Sequence, residues 1–152
     1  MAQYCSFHLG EGIYGLDILG IQEILRHMEI TPVPNAPDFV DGLINLRGQI
    51  SVVVNLRKRL GLAAAPESLQ PVHIIADIDG EAVSLLADRA GDVFEFDPAT
   101  LAPCPGPVHE AAAVLGVFQL ERGLLHILDA RALLAVPTAG ARAAENPIPN
   151  PV

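Results

Sequence analysis

The chain has 152 residues, 51% of them hydrophobic, with 18 acidic against 9 basic side chains and a formal net charge of -9. This length suits one domain, or two small ones sharing a boundary, with enough apolar residues to bury a core. The acidic balance disfavours nucleic-acid backbones and a polybasic membrane anchor, and no apolar run reaches the roughly 20 residues that span a bilayer.

With no Trp, five Phe and two Tyr, the core must be aliphatic. The N-terminus lacks a basic segment followed by an apolar run, so no signal peptide is expected and a cytoplasmic protein is. Cys5 and Cys104 stand far apart outside any framework and read as two reduced thiols.

Tyr4 to Leu9 alternates, Gly10-Glu11-Gly12 is a turn, and Tyr14 to Ile18 resumes as a strand, which predicts a hairpin. Ile21, Ile24, Leu25 and Met28 then fall at helical spacing and predict a short crossover helix, with Gln22, Glu23 and Arg26 on its exposed side. Pro34 to Asp41 is a proline-punctuated loop. Gly42 to Leu56 reads as two strands hinged at Arg47-Gly48. Ile44, Leu46, Ile50, Val52, Val54 and Leu56 are expected to face inward, and Leu43, Asn45 and Arg47 outward. An amide, a guanidinium and an apolar side chain on one outward face suit a protein partner better than bulk solvent. Asn45 and Arg47 have an alternative role, closing the hairpin internally, and Glu23 an alternative as a surface pair with Arg26 or Arg47.

Residues 63–71 read as a linker, after which the pattern restarts. Val72 to Asp77, Ala82 to Ala87, Gly91 to Phe96, Ala113 to Leu120 and Leu124 to Leu128 are predicted strands, and Ala130 to Ala135 a closing helix. The stretch from His8 to Ile18 parallels that from Ile75 to Asp88, and the stretch from Gly42 to Leu62 parallels Gly116 to Ala135. These are two copies of one β-rich unit. The expected fold class is all-β: two small β-barrel subdomains packed together, with short connecting helices. The domain would cover 1–136, with residues 1–62 as the first barrel half and 72–136 as the second, followed by a disordered tail at 137–152.

No catalytic constellation emerges. The histidines are His8, His27, His73, His109 and His126, none at metal-ligand spacing. Cys5 and His8 share a CxxH spacing but would face opposite sides of a strand. There is no nucleophile elbow, dinucleotide fingerprint or phosphate loop, so no cofactor is expected. A small hydrolase or ligand-binding barrel would need His73, His109 and Cys104 to converge on one pocket.

Several motifs keep a distinctive order. They are Phe7-x-Leu9, Tyr14-Gly15-Leu16-Asp17-Ile18, Ile21-Gln22-Glu23-Ile24, Thr31-Pro32-Val33-Pro34, Ala36-Pro37-Asp38-Phe39-Val40, Gly42-x-Ile44-Asn45-Leu46-Arg47-Gly48, Leu56-Arg57, Asp88-x-x-x-Asp92-Val93 and Leu128-Asp129. Together they resemble the CheW family of bacterial chemosensory coupling proteins over roughly Tyr4 to Leu134. The resemblance implies that the two barrel subdomains are five-stranded and SH3-like, and that the protein is a non-catalytic adaptor. Its partners would be the cytoplasmic tip of methyl-accepting chemoreceptors and the regulatory domain of the histidine kinase CheA. It would be recruited to membrane-associated arrays without entering the membrane. The positions that look like the family's receptor contact are Ile21, Glu23, Gly42, Asn45 and Arg47, with Leu43 beside them. The chain departs from the family's V-x-P-V-x-D-L-R pattern at Val52 and Asn55, which leaves open a type IV pilus or other non-flagellar pathway.

Overall fold

In the computed structural model the described residues are 1–105 and 113–135. The tail expected at 137–152 and His109 lie outside them. The described chain forms β1 (Ala2–Leu9), β2 (Gly12–Asp17), β3 (Ile21–Leu25), β4 (Val40–Leu46), β5 (Gln49–Asn55), helix α1 (Leu56–Arg59), β6 (Val72–Ile78), β7 (Glu81–Ala87), β8 (Arg89–Phe96), β9 (Val114–Leu120), β10 (Gly123–Leu128) and helix α2 (Ala130–Leu134). Asn55 and Asp129 cap the two short helices, their side chains accepting from backbone N–H groups one turn ahead.

These strands build two five-stranded mixed sheets, β8-β1-β2-β10-β9 and β3-β6-β7-β5-β4. The one parallel contact in each is β2 with β10 and β5 with β7. The expected closed SH3-like barrels do not form. Each sheet stays open, because no ladder joins β8 to β9 or β3 to β4. Closure requires the edge N–H and C=O groups to meet each other. Here two of those edges meet loop backbone instead: Thr31 bridges Leu43 on β4, and Ala102 bridges Val117 on β9.

The internal repeat is present in an exchanged form. Each sequence unit runs hairpin, strand, hairpin: β1-β2, β3, β4-β5, and then β6-β7, β8, β9-β10. The sheet orders match element for element, but β1-β2 sits with β8 and β9-β10, while β6-β7 sits with β3 and β4-β5. Each unit therefore gives its first hairpin to the sheet completed by the other unit. Neither sheet can be assembled from one side of the 63–71 linker.

The predicted helix at Ile21 to Met28 is instead the edge strand β3, antiparallel to β6. Ile21 and Leu25 share a side at either period, while Ile24, which the helical stripe would bury, is exposed. Isoleucine is stiff at χ1 and packs well on a pleated surface, and the free edge of β6 supplies the hydrogen bonds that decide between the two.

The apolar interior has three layers. Phe7, Leu16, Val54, Leu56, Ile74 and Leu85 fill the space between the sheets. Tyr4, Phe118, Leu125 and Ile127 fill the outer concavity of the first sheet, and Ile44, Leu46, Val53 and Ile75 that of the second. Both sheets are thus buried on both faces at their centres, which is why β6 and β7 read as nearly continuous apolar runs.

A largely buried ion pair ties the sheets together. Asp88, between β7 and β8, accepts from Arg57 Nε at 2.9 Å and Nη2 at 2.5 Å, and also from the Gly10 N–H in the β1–β2 turn at 2.7 Å. Burial pushes the Asp88 carboxyl up, but the Arg57 hydrogen bonds, the Gly10 N–H and the guanidinium charge outweigh this and hold it below its ordinary value. The group is ionised in the fold at a pH where it would be protonated in the unfolded chain. Its stabilisation is present above the unfolded value, about 3.9, and disappears as pH falls through the lower folded value. Asp88→Asn is expected to cost about 1–3 kcal/mol at neutral pH. It should also flatten the acid limb of a denaturant midpoint against pH series. A variant as acid-sensitive as the parent would show that this pair is not what acid removes.

Candidate functional site

The β4–β5 hairpin turns in two residues, with Leu46 opposite Gln49. Arg47 has φ 55 and Gly48 φ 87, the positive pair that a type I′ turn demands. Asn45 Oδ1 accepts from the Gly48 N–H at 2.8 Å, so this amide does close the hairpin. The β6–β7 turn is built alike: Asp79 has φ 55, Gly80 has φ 88, and Asp77 Oδ1 accepts from Gly80 N–H at 2.9 Å. Aspartate tolerates the left-handed conformation through local hydrogen bonding. Arginine has no such local bonding to offset the strain of the twin position.

That side chain points to a specific neighbour. Arg47 Nη2 hydrogen-bonds Glu23 Oε2, reaching from the tip of the β4–β5 hairpin to β3 at the opposite edge of the same sheet. The Arg47 side chain remains 68% exposed while Glu23 is 25% exposed. A carboxylate anchors one side of the guanidinium and leaves the rest of its donor fork toward solvent.

The other sequence-predicted positions divide. Leu43 is half-buried on the exposed side of β4, opposite Val52, and Asn45 lies opposite Ile50. Gly42 has φ 149 and lies directly under the Thr31 carbonyl, where the 30–31 segment crosses β4. Ile21 is partly buried against the core between the sheets. Glu23, Arg47, Asn45 and Leu43 thus belong to one surface region, with Gly42 supporting it through the backbone.

Ile50 and Val52 were expected inward and are not: they are 63% and 37% exposed. Parity across the turn explains this. A two-residue turn pairs Leu46 with Gln49, so even-numbered β4 residues face odd-numbered β5 residues. Ile44 and Leu46 therefore share a face with Ser51 and Val53, and Ile50 and Val52 share one with Leu43 and Asn45. Val54 lies on the same side as Val52 but falls under the other sheet, so it is buried as expected. The exposed apolar strip Leu43–Val52–Ile50 was legible in the sequence through turn length alone.

Asn55 stands where the pattern carries an acid. Its Oδ1 accepts from the Lys58 N–H at 3.2 Å, and its Nδ2 donates to Asp41 Oδ2 at 3.0 Å. The amide keeps the helix cap and recruits a neighbouring carboxylate, which also faces Lys58 Nζ at 3.4 Å.

Among the described residues no group of three or more His, Cys, Asp or Glu could hold a metal ion. The two thiols are free, Cys5 buried and Cys104 partly so. His73 lines a cleft to which Cys104 does not contribute.

Comparison with known proteins agrees with this geometry. Residues 3–137 match the CheW-like domain family. The chemotaxis protein CheW of Treponema pallidum (strain Nichols) is 29% identical over 139 residues, spanning 88% of this chain and 82% of that one. The chemotaxis protein CheW of Thermotoga maritima is 38% identical over 84 residues, 55% of each chain. The crystal structure of scaffolding protein TtCheW from Thermoanaerobacter tengcongensis superposes with a TM-score of 0.81 at 31% identity, covering 90% of this chain and 94% of that one. A match over nearly the whole length, in sequence and in fold, means that the chain belongs to the CheW-like domain family and is a non-catalytic cytoplasmic adaptor coupling chemoreceptors to the histidine kinase CheA.

Proposed function

We propose that this adaptor takes the chemoreceptor's cytoplasmic tip on the surface formed by Arg47, Asn45, Glu23 and Leu43, with Gly42 and Ile21 supporting it from below. The observation that carries the reading is the Arg47–Glu23 pair. It fixes a largely exposed guanidinium at a hairpin tip whose backbone conformation disfavours arginine. A helical receptor tip offering carboxylates beside an apolar stripe would meet the free donors of Arg47 and the strip of Leu43, Val52 and Ile50 together. The carboxylate contact would fix orientation, and the desolvated aliphatic contact would supply most of the affinity.

The test is a pull-down with a receptor signalling tip and with a CheA regulatory domain, each presented separately. Both are expected to be retained. Retention of the kinase domain without the receptor tip would remove this surface from the receptor contact. Raising salt from 0.05 to about 0.5 M is expected to weaken receptor capture only partly, because the screened guanidinium contact is lost while the apolar one persists.

A further inference from the structure

A second concavity lies apart from the partner surface, at the end of the second sheet where β3 and β7 finish and β6 begins. It measures about 790 Å³. Its wall includes Met28, Ile30 and Leu86, which pack against the apolar cluster on the concave side of that sheet. Arg26 and Arg89, both exposed, stand at its rim, and His73, 3% exposed, lies at its floor.

Three features of this cleft are left over by the fold. Neither Arg26 nor Arg89 makes an ion pair among the described residues, although the chain carries twice as many acidic as basic side chains. Asp88, the one acid among the described lining residues, feels the Arg89 charge but is held by Arg57 and the Gly10 N–H. The rim is therefore a local cationic field on an acidic protein. Third, the His73 ring shares a hydrogen bond with Ser84 through Nδ1 at 2.7 Å, while its Nε2 has no protein partner among the described residues. A buried ring nitrogen without a partner is costly, and its residue lines the cleft.

Cationic rim, apolar wall and one directional polar atom at the floor define a ligand. We propose that the cleft binds a small amphipathic carboxylate bearing a hydroxyl at its far end. The guanidiniums take the carboxylate, the apolar body lies over Met28, Ile30 and Leu86, and the hydroxyl meets His73 Nε2. The volume falls within the range that encloses a small organic molecule. This site is independent of the receptor surface, since none of Ile21, Glu23, Gly42, Leu43, Asn45 or Arg47 lines it.

Isothermal titration calorimetry of the full chain with hydroxyphenylbutyrate, phenylbutyrate and phenylbutanol tests this. The hydroxylated acid is expected to bind tightest, and the uncharged alcohol about tenfold more weakly. Arg26→Ala and Arg89→Ala are exposed substitutions that leave the fold intact. Each is expected to weaken the two acids about fivefold and leave the alcohol unchanged. The imidazole nitrogen resonances of His73 should shift with hydroxyphenylbutyrate and much less with phenylbutyrate. Absence of binding heat at millimolar probe, or affinities insensitive to both arginines and to the carboxylate, would overturn the proposal.

Discussion

Gly42→Ala is expected to destabilise the domain by about 3–5 kcal/mol, lowering its melting temperature by roughly 10 °C. Gly42 has φ 149, and a Cβ built there would overlap the Thr31 carbonyl oxygen and lie 2.8 Å from the carbonyl carbon. Both clashing atoms are backbone, so no rotamer change relieves them. The strand must move away from the 30–31 segment and lose the paired hydrogen bonds Thr31 N–H to Leu43 O and Leu43 N–H to Thr31 O, each 2.9 Å. Those bonds satisfy the free edge of β4, so the variant also exposes a strand edge to other chains. The prediction is checked by thermal and denaturant melts beside Gly48→Ala, where a Cβ meets nothing within 4 Å and only the φ 87 conformation is strained. Equal melting of the two variants would show that close approach at Gly42 is not the limiting factor.

The second large effect is on binding. Arg47→Glu is expected to weaken receptor-tip affinity at least about tenfold while shifting the melting temperature by no more than about 2 °C. Arg47 is mostly exposed, so its pair with Glu23 contributes little to the fold. Reversal removes the donors offered to a partner carboxylate and sets two acids side by side. Arg47→Asn separates contact from architecture: asparagine suits the left-handed position, so this variant should melt at or slightly above the parent temperature and still lose affinity. Stability and binding then move in opposite directions, which a merely structural arginine would not allow. Unaltered affinity by calorimetry in both variants, with both folded, would refute the assignment.

The partner surface was partly legible in the sequence because it is local. Asn45, Arg47 and Gly48 sit within one hairpin, and strand alternation places Leu43 and Asn45 on the same side. For Glu23 the sequence offered a pair with Arg26 or with Arg47, and only the fold, which brings opposite edges of one sheet together across 24 residues of chain, selected Arg47. The helical reading of Ile21 to Met28 failed for a related reason. Ile21 and Leu25 fall on one side at either period, and hydrogen bonding to the free edge of β6 made the choice. Ile50 and Val52 face outward because the two-residue turn reverses the parity that simple alternation predicts.

The sequence by itself determined the family, the positions of most strands, the two-copy pattern and the hairpin that carries Arg47. All of these depend on neighbours within about a dozen residues, where alternation, turn chemistry and capping act. Tertiary structure alone decided how the copies combine. Whether β1-β2 pairs within its own unit or with the strands of the other depends on long-range hydrogen bonds whose local sequences are equally suited to either partner. The exchange was settled by burial of both sheets against one another around Phe7, Leu56, Ile74 and Leu85. Closure was settled at the edges, where Thr31 and Ala102 occupy backbone groups that a barrel would have needed.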